Sequence, residues 1–235
     1  NIDFLTNIKK SNNFIILFHG IANKSIYPVF RGFDYNFNNS IVMSIADPLI
    51  KYYNNVQIGW YLDTKLYPET TNTIIEIINH IKNICDIQNI IFVSNCSGAL
   101  IAVKLASILN QYCLIANPHT ILKADDINDY AHFSDLSIQN GYRMPLSSND
   151  NYTKKIILHE ILKQNKDTID FNLLDSRNFF KQYGFPKFLI CYTHQDDYTA
   201  EWILKINEYY KKYHNNNIEI ILNDIKVPSP HHEPF

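Results

Sequence analysis

Ile90-Ile91-Phe92-Val93-Ser94-Asn95-Cys96-Ser97-Gly98-Ala99-Leu100-Ile101-Ala102-Val103-Lys104-Leu105-Ala106 is the stretch from which the rest of the chain is read. Its first part is a short, apolar, β-branched run of the kind that makes a strand buried on both faces. Its last part carries apolar residues at helical spacing, so a helix follows at once. The joint between them must be sharp. At the apex of such a turn one side chain projects above the sheet, and the residues two positions before and after it must be small. Cys96 satisfies that rule, with Ser94 before it and Gly98 after it. Centring the turn on Ser97 instead would put Asn95 where a small residue is needed, so Cys96 is favoured and Ser97 is its rival. The bland reading of Cys96 is a small buried thiol in an inert turn, since cysteine is among the most buried residue types.

Ser94-Asn95-Cys96-Ser97-Gly98 resembles the nucleophile elbow of α/β-hydrolases, usually Gly-x-Ser-x-Gly. Two departures are plain: a thiol stands at the nucleophile position, and Ser94 replaces the first glycine. The resemblance implies an α/β-hydrolase fold, a mostly parallel six-stranded sheet with helices on both faces and a helical cap insertion. The expected strands start near residues 13, 40, 89, 112, 187 and 217, which leaves the family's first two, antiparallel, strands without a counterpart.

Length and composition agree with one such domain over 1–235. A chain of 235 residues buries one sizeable core, and 46% hydrophobic with 14% aromatic content marks a folded globule. A net charge of −2 with no basic cluster gives no electrostatic case for nucleic acid as a partner. No apolar run approaches the ~18 residues of a transmembrane segment. Cys85, Cys96, Cys113 and Cys191 match no zinc spacing and no dense disulfide framework, so reduced thiols in a cytoplasmic compartment are expected. The chain opens on Asn1, which leaves room for a longer parent with further domains.

Asn13-Phe14-Ile15-Ile16-Leu17-Phe18 reads as a buried strand running into His19-Gly20-Ile21-Ala22. That His-Gly resembles the oxyanion-loop entry of α/β-hydrolases. The resemblance implies that the backbone N–H of Ile21 or Ala22 joins that of Ser97 to hold the oxyanion of a tetrahedral intermediate. Ser40 to Ile45 is a second buried strand, stopped by Ala46-Asp47-Pro48, and Gln57 to Leu62 reads as a packed, aromatic surface loop. From Pro68 to Cys85, Ile74, Ile77, Ile78, Ile81 and Ile84 share one helix face. Tyr112 to Ala116 is another strand. Asn117-Pro118-His119 follows at its carboxyl end, the rim where open α/β sheets place ligands. Asn117 and His119, with His19 and Trp60, are therefore the candidate substrate-binding residues. Residues 120–184 break the alternation, with helical stretches around Lys154–Lys163 and Ser176–Tyr183, and look like a cap insertion.

Lys187 to Tyr192 resumes the sheet and ends in Thr193-His194-Gln195-Asp196-Asp197. The triad acid of α/β-hydrolases follows this late strand, so the resemblance implies Asp196, with Asp197 as the alternative. Either one can instead cap the next helix, which begins near Thr199. Ile218 to Leu222 is the last strand, and His231-His232 lies in the segment after it. The order nucleophile, acid, histidine is thus reproduced by Cys96, Asp196 and His232, with His231 as the alternative base. Taken alone, a terminal His-His pair reads as a solvated tail.

A narrower set is similar to the α/β-hydrolase-like proteins of bacterial capsular polysaccharide clusters. It comprises His19-Gly20, Ser44-Ile45-Ala46-Asp47-Pro48, Gly59-Trp60-Tyr61, the elbow, Asn117-Pro118 and His232-Glu233-Pro234. This likeness implies action on an O-acyl group of a surface glycan or its precursor. The chemistry expected is nucleophilic acyl transfer on an ester or thioester without a cofactor: His232 deprotonates Cys96, and an acid holds the imidazolium. A helix N-terminus and a nearby histidine both lower a thiol pKa from about 8.5. Two other readings stand beside it. His19, His194, Asp196, Asp197, His231 and His232 could gather to bind a metal for hydrolysis, although none has a tight ligand spacing. Or the fold is an inactive binding or accessory module in which Cys96 marks a lost serine.

Overall fold

In the computed structural model, residues 1–20, 22, 27–35, 37–52, 59–116, 118, 165, 167–170, 175–194, 208, 212 and 218–223 are described, with 52, 191–194 and 218–223 described by their backbone alone. They form a seven-stranded sheet in the order β1-β3-β2-β4-β5-β6-β7. The strands are β1 (Phe4–Asn7), β2 (Asn13–Phe18), β3 (Ile41–Ile45), β4 (Asn89–Asn95), β5 (Tyr112–Ala116), β6 (Phe188–His194) and β7 (Ile218–Asn223). All neighbours from β3 to β7 pair in parallel, as the α/β-hydrolase fold requires.

The expected strands are found, and β1 is an addition. It pairs antiparallel with β3, Phe4 opposite Ile45 and Asn7 opposite Val42. Thr6 Oγ1 donates to the Val42 carbonyl (2.9 Å), and Val42 N–H donates to Asn7 Oδ1 (2.7 Å). One antiparallel edge strand thus has its counterpart here after all. Its four residues are mostly exposed, so there is no buried face for an apolar pattern to announce.

The sheet interior explains the unbroken apolar runs. In β2, Phe14, Ile16 and Phe18 point to one side and Ile15 and Leu17 to the other, and all are buried. The first side is covered by α2 (Thr70–Cys85), α3 (Gly98–Ile108) and α4 (Ser176–Tyr183), which follow α1 (Pro48–Tyr52) in the chain. Ile74, Ile78 and Ile81 of α2 are buried in this core, whereas Ile77 lies at its margin and Ile84 is exposed. The buried stripe is therefore narrower than the run of isoleucines. Phe33 and Phe37 pack over the opposite side, against Ile15, Leu17 and Val42. The expected helix near 154–163 falls outside the described residues, as do most of the helix expected from near Thr199, of which Glu208 and Lys212 are described and helical, and most of the expected cap over 120–184. Among the described residues no helix is long and apolar enough to cross a membrane.

Candidate active site

The register brings the carboxyl ends of the strands to one edge. Phe18 of β2 pairs with Ile45 of β3 and with Ser94 of β4, and Asn95 pairs with Ala116 of β5. Beyond Asn95 the chain turns in two residues, Cys96 and Ser97, into α3. Cys96 sits at the apex with φ 49°, a left-handed conformation that costs an L-residue with a Cβ roughly 1–2 kcal/mol. Two hydrogen bonds hold it there: Cys96 N–H donates to the Ala116 carbonyl (3.0 Å), and the Cys96 carbonyl accepts from Ala99 N–H (3.2 Å). Its side chain is half-buried at the edge. Ser97, the rival, has an ordinary right-handed φ of −66° and is only 2% exposed. The turn is thus centred on Cys96.

The residues flanking the apex are small for visible reasons. A Cβ on Gly98 would lie 2.5 Å from the His19 carbonyl oxygen and closer still to Ser94 Oγ. Ser94 fits because its hydroxyl donates to the Phe18 carbonyl (3.0 Å), which ties β4 to β2 just below the turn. A Cβ on Gly20 would meet Cys96 Cβ at 2.9 Å, so the segment after β2 lies against the apex.

Behind that segment lies a buried polar assembly that the sequence did not reveal. Asp47, at the end of β3, is fully enclosed, and its carboxylate accepts backbone N–H bonds from Leu49 (3.0 Å), Gly59 (2.8 Å) and Tyr61 (3.2 Å). Burial pushes its pKa up to about 6, against the pull of those three donors. Asp47 N–H donates to His19 Nε2 (3.0 Å), so the His19 proton is on Nδ1, which donates to the Gly20 carbonyl (2.7 Å). His19 is 1% exposed, and burial lowers its pKa to about 4, which keeps the ring neutral. The Tyr61 hydroxyl accepts from His19 N–H (3.1 Å) and donates to the Ile45 carbonyl (2.8 Å). Phe18 stacks edge-on against the Tyr61 ring at 5.1 Å.

Several expectations change here. Both nitrogens of His19 are engaged inside the protein, so its ring braces the loop and has no free nitrogen for a substrate. Trp60, the other expected substrate contact, is 2% exposed and lies in a turn where both it and Tyr61 have positive φ. Residues 59–62 are core, not a surface loop. In the sequence Asp47 reads as a strand stop and as part of the set that is similar to the capsular-cluster proteins, with no role of its own. Its partners lie between 2 and 28 residues away, a pattern with no periodicity to detect. Of the oxyanion candidates, Ala22 is buried and Ser97 N–H has no hydrogen-bond partner among the described residues; Ile21 lies outside them. Asn117, His119, Asp196, Asp197, His231 and His232 also lie outside the described residues. So does the side chain of His194, and with it every member of the expected metal set other than His19. The backbone places the end of β6 at His194, opposite Asn223 of β7, on the carboxyl edge that carries Cys96.

No family model matches the sequence, and no curated protein does. Solved structures do match in shape. The capsule O-acetyltransferase of Neisseria meningitidis serogroup A aligns over 94% of this chain and 82% of its own, at 18% identity and a TM-score of 0.64. The S-formylglutathione hydrolase of Staphylococcus aureus aligns over 92% and 77%, at 11% identity and a TM-score of 0.56. A chain of the Glycosylation Associate Protein (Gap123) complex of Streptococcus agalactiae aligns over 94% of this chain but 40% of its own, at 15% identity and a TM-score of 0.57. At these identities the likeness establishes the α/β-hydrolase fold.

Proposed function

We propose that the chain is an acyl hydrolase or acyltransferase that carries its acyl group on Cys96. The observation that supports this most is the strained apex: a half-buried thiol at φ 49° in the turn just before α3, with Gly20 against its Cβ. Strain of this kind persists only where the surroundings impose it, and it clusters at active sites. The N-terminus of α3 favours an anion at Cys96, and so favours thiolate.

In this reading His232 takes the thiol proton, and Asp196 orients and stabilises the imidazolium. The thiolate attacks the carbonyl carbon of an ester or thioester, a C–S bond forms, and the oxyanion is held by the N–H groups of Ser97 and of Ile21 or Ala22. The bond to the leaving group then breaks, and His232 returns its proton to the departing oxygen or sulfur. Water or a sugar hydroxyl next attacks the acyl-enzyme and frees Cys96. Asn117 and His119, which follow β5 in the chain, are the proposed substrate contacts, and residues 120–184 the cap that selects the substrate. The likeness to a capsule O-acetyltransferase favours an O-acyl group of a surface polysaccharide or its precursor as that substrate.

A second reading, an accessory module with an idle elbow, draws on the likeness to the Gap123 complex. Reactivity separates the two. An active Cys96 is alkylated by iodoacetamide in stoichiometric amount and much faster than the free thiol Cys85, and His232→Ala slows that labelling. An idle elbow labels no faster than Cys85 and is indifferent to His232→Ala.

A further inference from the structure

β1 is the outermost strand of the sheet, and it shows an unpaired edge away from β3. Ala46 N–H donates to the Asp3 carbonyl (2.9 Å), which makes Asp3 and Ala46 a hydrogen-bonded pair of the antiparallel ladder. Such pairs alternate along a ladder. With Phe4 opposite Ile45 and Thr6 opposite Met43, the N–H and C=O groups of Phe4 and Thr6 therefore point outward. Among the described residues no backbone group binds them.

Beside this edge an open apolar groove runs between β1 and α2. Phe4, Thr6 and Ile8 line one wall, and Ile77, Ile81 and Ile84 the other. Phe4, Ile8 and Ile84 are 41%, 59% and 59% exposed, so apolar surface and an unpaired strand are left side by side. The ionisable residues that line the groove, Glu76 and His80, are exposed on α2, one acid and one base. Edge strands are ordinarily protected by charge. Here the flanking charges are turned onto their own chain. Lys9 Nζ donates to the Phe37 and Asn38 carbonyls (3.1 Å each), and the Asp3 carboxylate accepts from the Tyr27 hydroxyl (2.8 Å) and pairs with Lys51 (3.1 Å). From Phe4 to Ile8 the edge carries no charge.

We propose that this edge and its groove are a docking surface for a second copy of the chain, the two β1 strands pairing antiparallel about a two-fold axis at Thr6. The stretch is self-complementary in that register. Thr6 lies opposite Thr6 of the other copy and Phe4 opposite Ile8, so outward-facing backbone groups meet outward-facing groups, and apolar side chains of one groove wall meet those of the other. Asp3 falls opposite Lys9, acid against base. A shift of one residue loses the match: centred on Leu5, Phe4 faces Thr6 and Asp3 faces Asn7; centred on Asn7, Phe4 faces Lys10. Phe4 and Ile8 of the added strand cover the space between β1 and α2, and the sheet continues through both copies.

Sedimentation velocity of the whole chain at up to about 100 µM reads the association directly. The expected result is a concentration-dependent dimer. Phe4→Lys and Ile8→Glu each set a lone charge on the exposed edge and raise the dissociation constant about tenfold or more. An equimolar mixture of the two variants dimerises again, because the introduced lysine of one copy faces the introduced glutamate of the other while Ile8 still faces Phe4 at the symmetric position. Ile84→Lys, on the helix wall, weakens the dimer without touching β1, which keeps the experiment decisive if a β1 variant fails to fold. A chain that stays monomeric throughout this range leaves the edge to an occupant of another kind and overturns the inference. So does a dimer that Phe4→Lys and Ile84→Lys leave intact, since its interface lies elsewhere. A mixture that stays monomeric although both β1 variants melt like the parent excludes the register centred on Thr6, and the proposed pairing with it.

Discussion

Cys96 holds a backbone conformation that its own side chain opposes. Elsewhere Ala is favoured over Gly because Gly loses more chain entropy on folding, by roughly 0.5–1 kcal/mol. At φ 49° the order should invert. Urea unfolding of Cys96→Gly and Cys96→Ala is expected to leave the glycine variant more stable by about 1 kcal/mol; an alanine variant as stable or more so would contradict the strained elbow. The buried pair His19 and Asp47 gives a second residue-level prediction, in pH. The folded pKa of His19 is lowered to about 4, so the unfolded chain binds the proton more tightly and His19 adds stability as pH rises from about 4 toward its ordinary value of 6.5. The folded pKa of Asp47 is raised from 3.8 to about 6, so its contribution is present at low pH and is lost as pH rises through that window. The two contributions oppose each other, and each is of the order of 3 kcal/mol at about 1.4 kcal/mol per tenfold change in proton affinity. The parent protein is expected to show little net slope from this pair. In His19→Asn the Asp47 contribution is uncovered, so the stability gap between parent and variant widens from pH 4 to 6.5. A gap that is constant across that range would contradict the assignment.

At the scale of elements, the elbow was legible because its rule is local. Ser94, Cys96 and Gly98 are close in sequence, and the sharp turn needs small residues at the outer two whatever surrounds it. β2 and β3 were legible because they are buried on both faces and read as continuous apolar runs, and β4 and β5 because their runs are equally apolar although one face is only half-buried. Short, exposed β1 offered no such run, and the bonds joining Asp47 to His19 and Tyr61 link segments whose neighbourhood only the folded sheet creates. The cost of a side chain at Gly98 follows from the same packing. Gly98 opens α3, where Ala ordinarily improves a helix, yet its Cβ would press on the His19 carbonyl at 2.5 Å. Gly98→Ala is expected to destabilise by about 1–3 kcal/mol in denaturant, the usual cost of overpacking; a neutral or stabilising change would mean that β2 and the elbow are not in such close contact. The buried stripe of α2 gives a contrast of the ordinary kind. Ile78→Ala should cost about 2–5 kcal/mol, and Ile84→Ala, on the exposed side, less than about 0.5 kcal/mol.

For the whole molecule, the central claim is that segments far apart in sequence serve one thiol. The sheet order explains how the fold permits this: β2, β4 and β5 are neighbours, so their carboxyl ends lie side by side at the edge where the turn after β4 carries Cys96. The chain order of Cys96, Asp196 and His232 is the part of the site that the sequence carries and the described residues do not reach. A trapped intermediate therefore bears on the account more directly than any stability measurement. The decisive measurement is mass spectrometry of the intact protein and its peptides, quenched in acid seconds after exposure to p-nitrophenyl acetate. The account predicts a single acetyl group on the Cys96 peptide, formed far more slowly in His232→Ala and absent in Cys96→Ala. Acetylation confined to Ser97 or to surface lysines, or an adduct on Cys96 whose rate ignores His232, would contradict it.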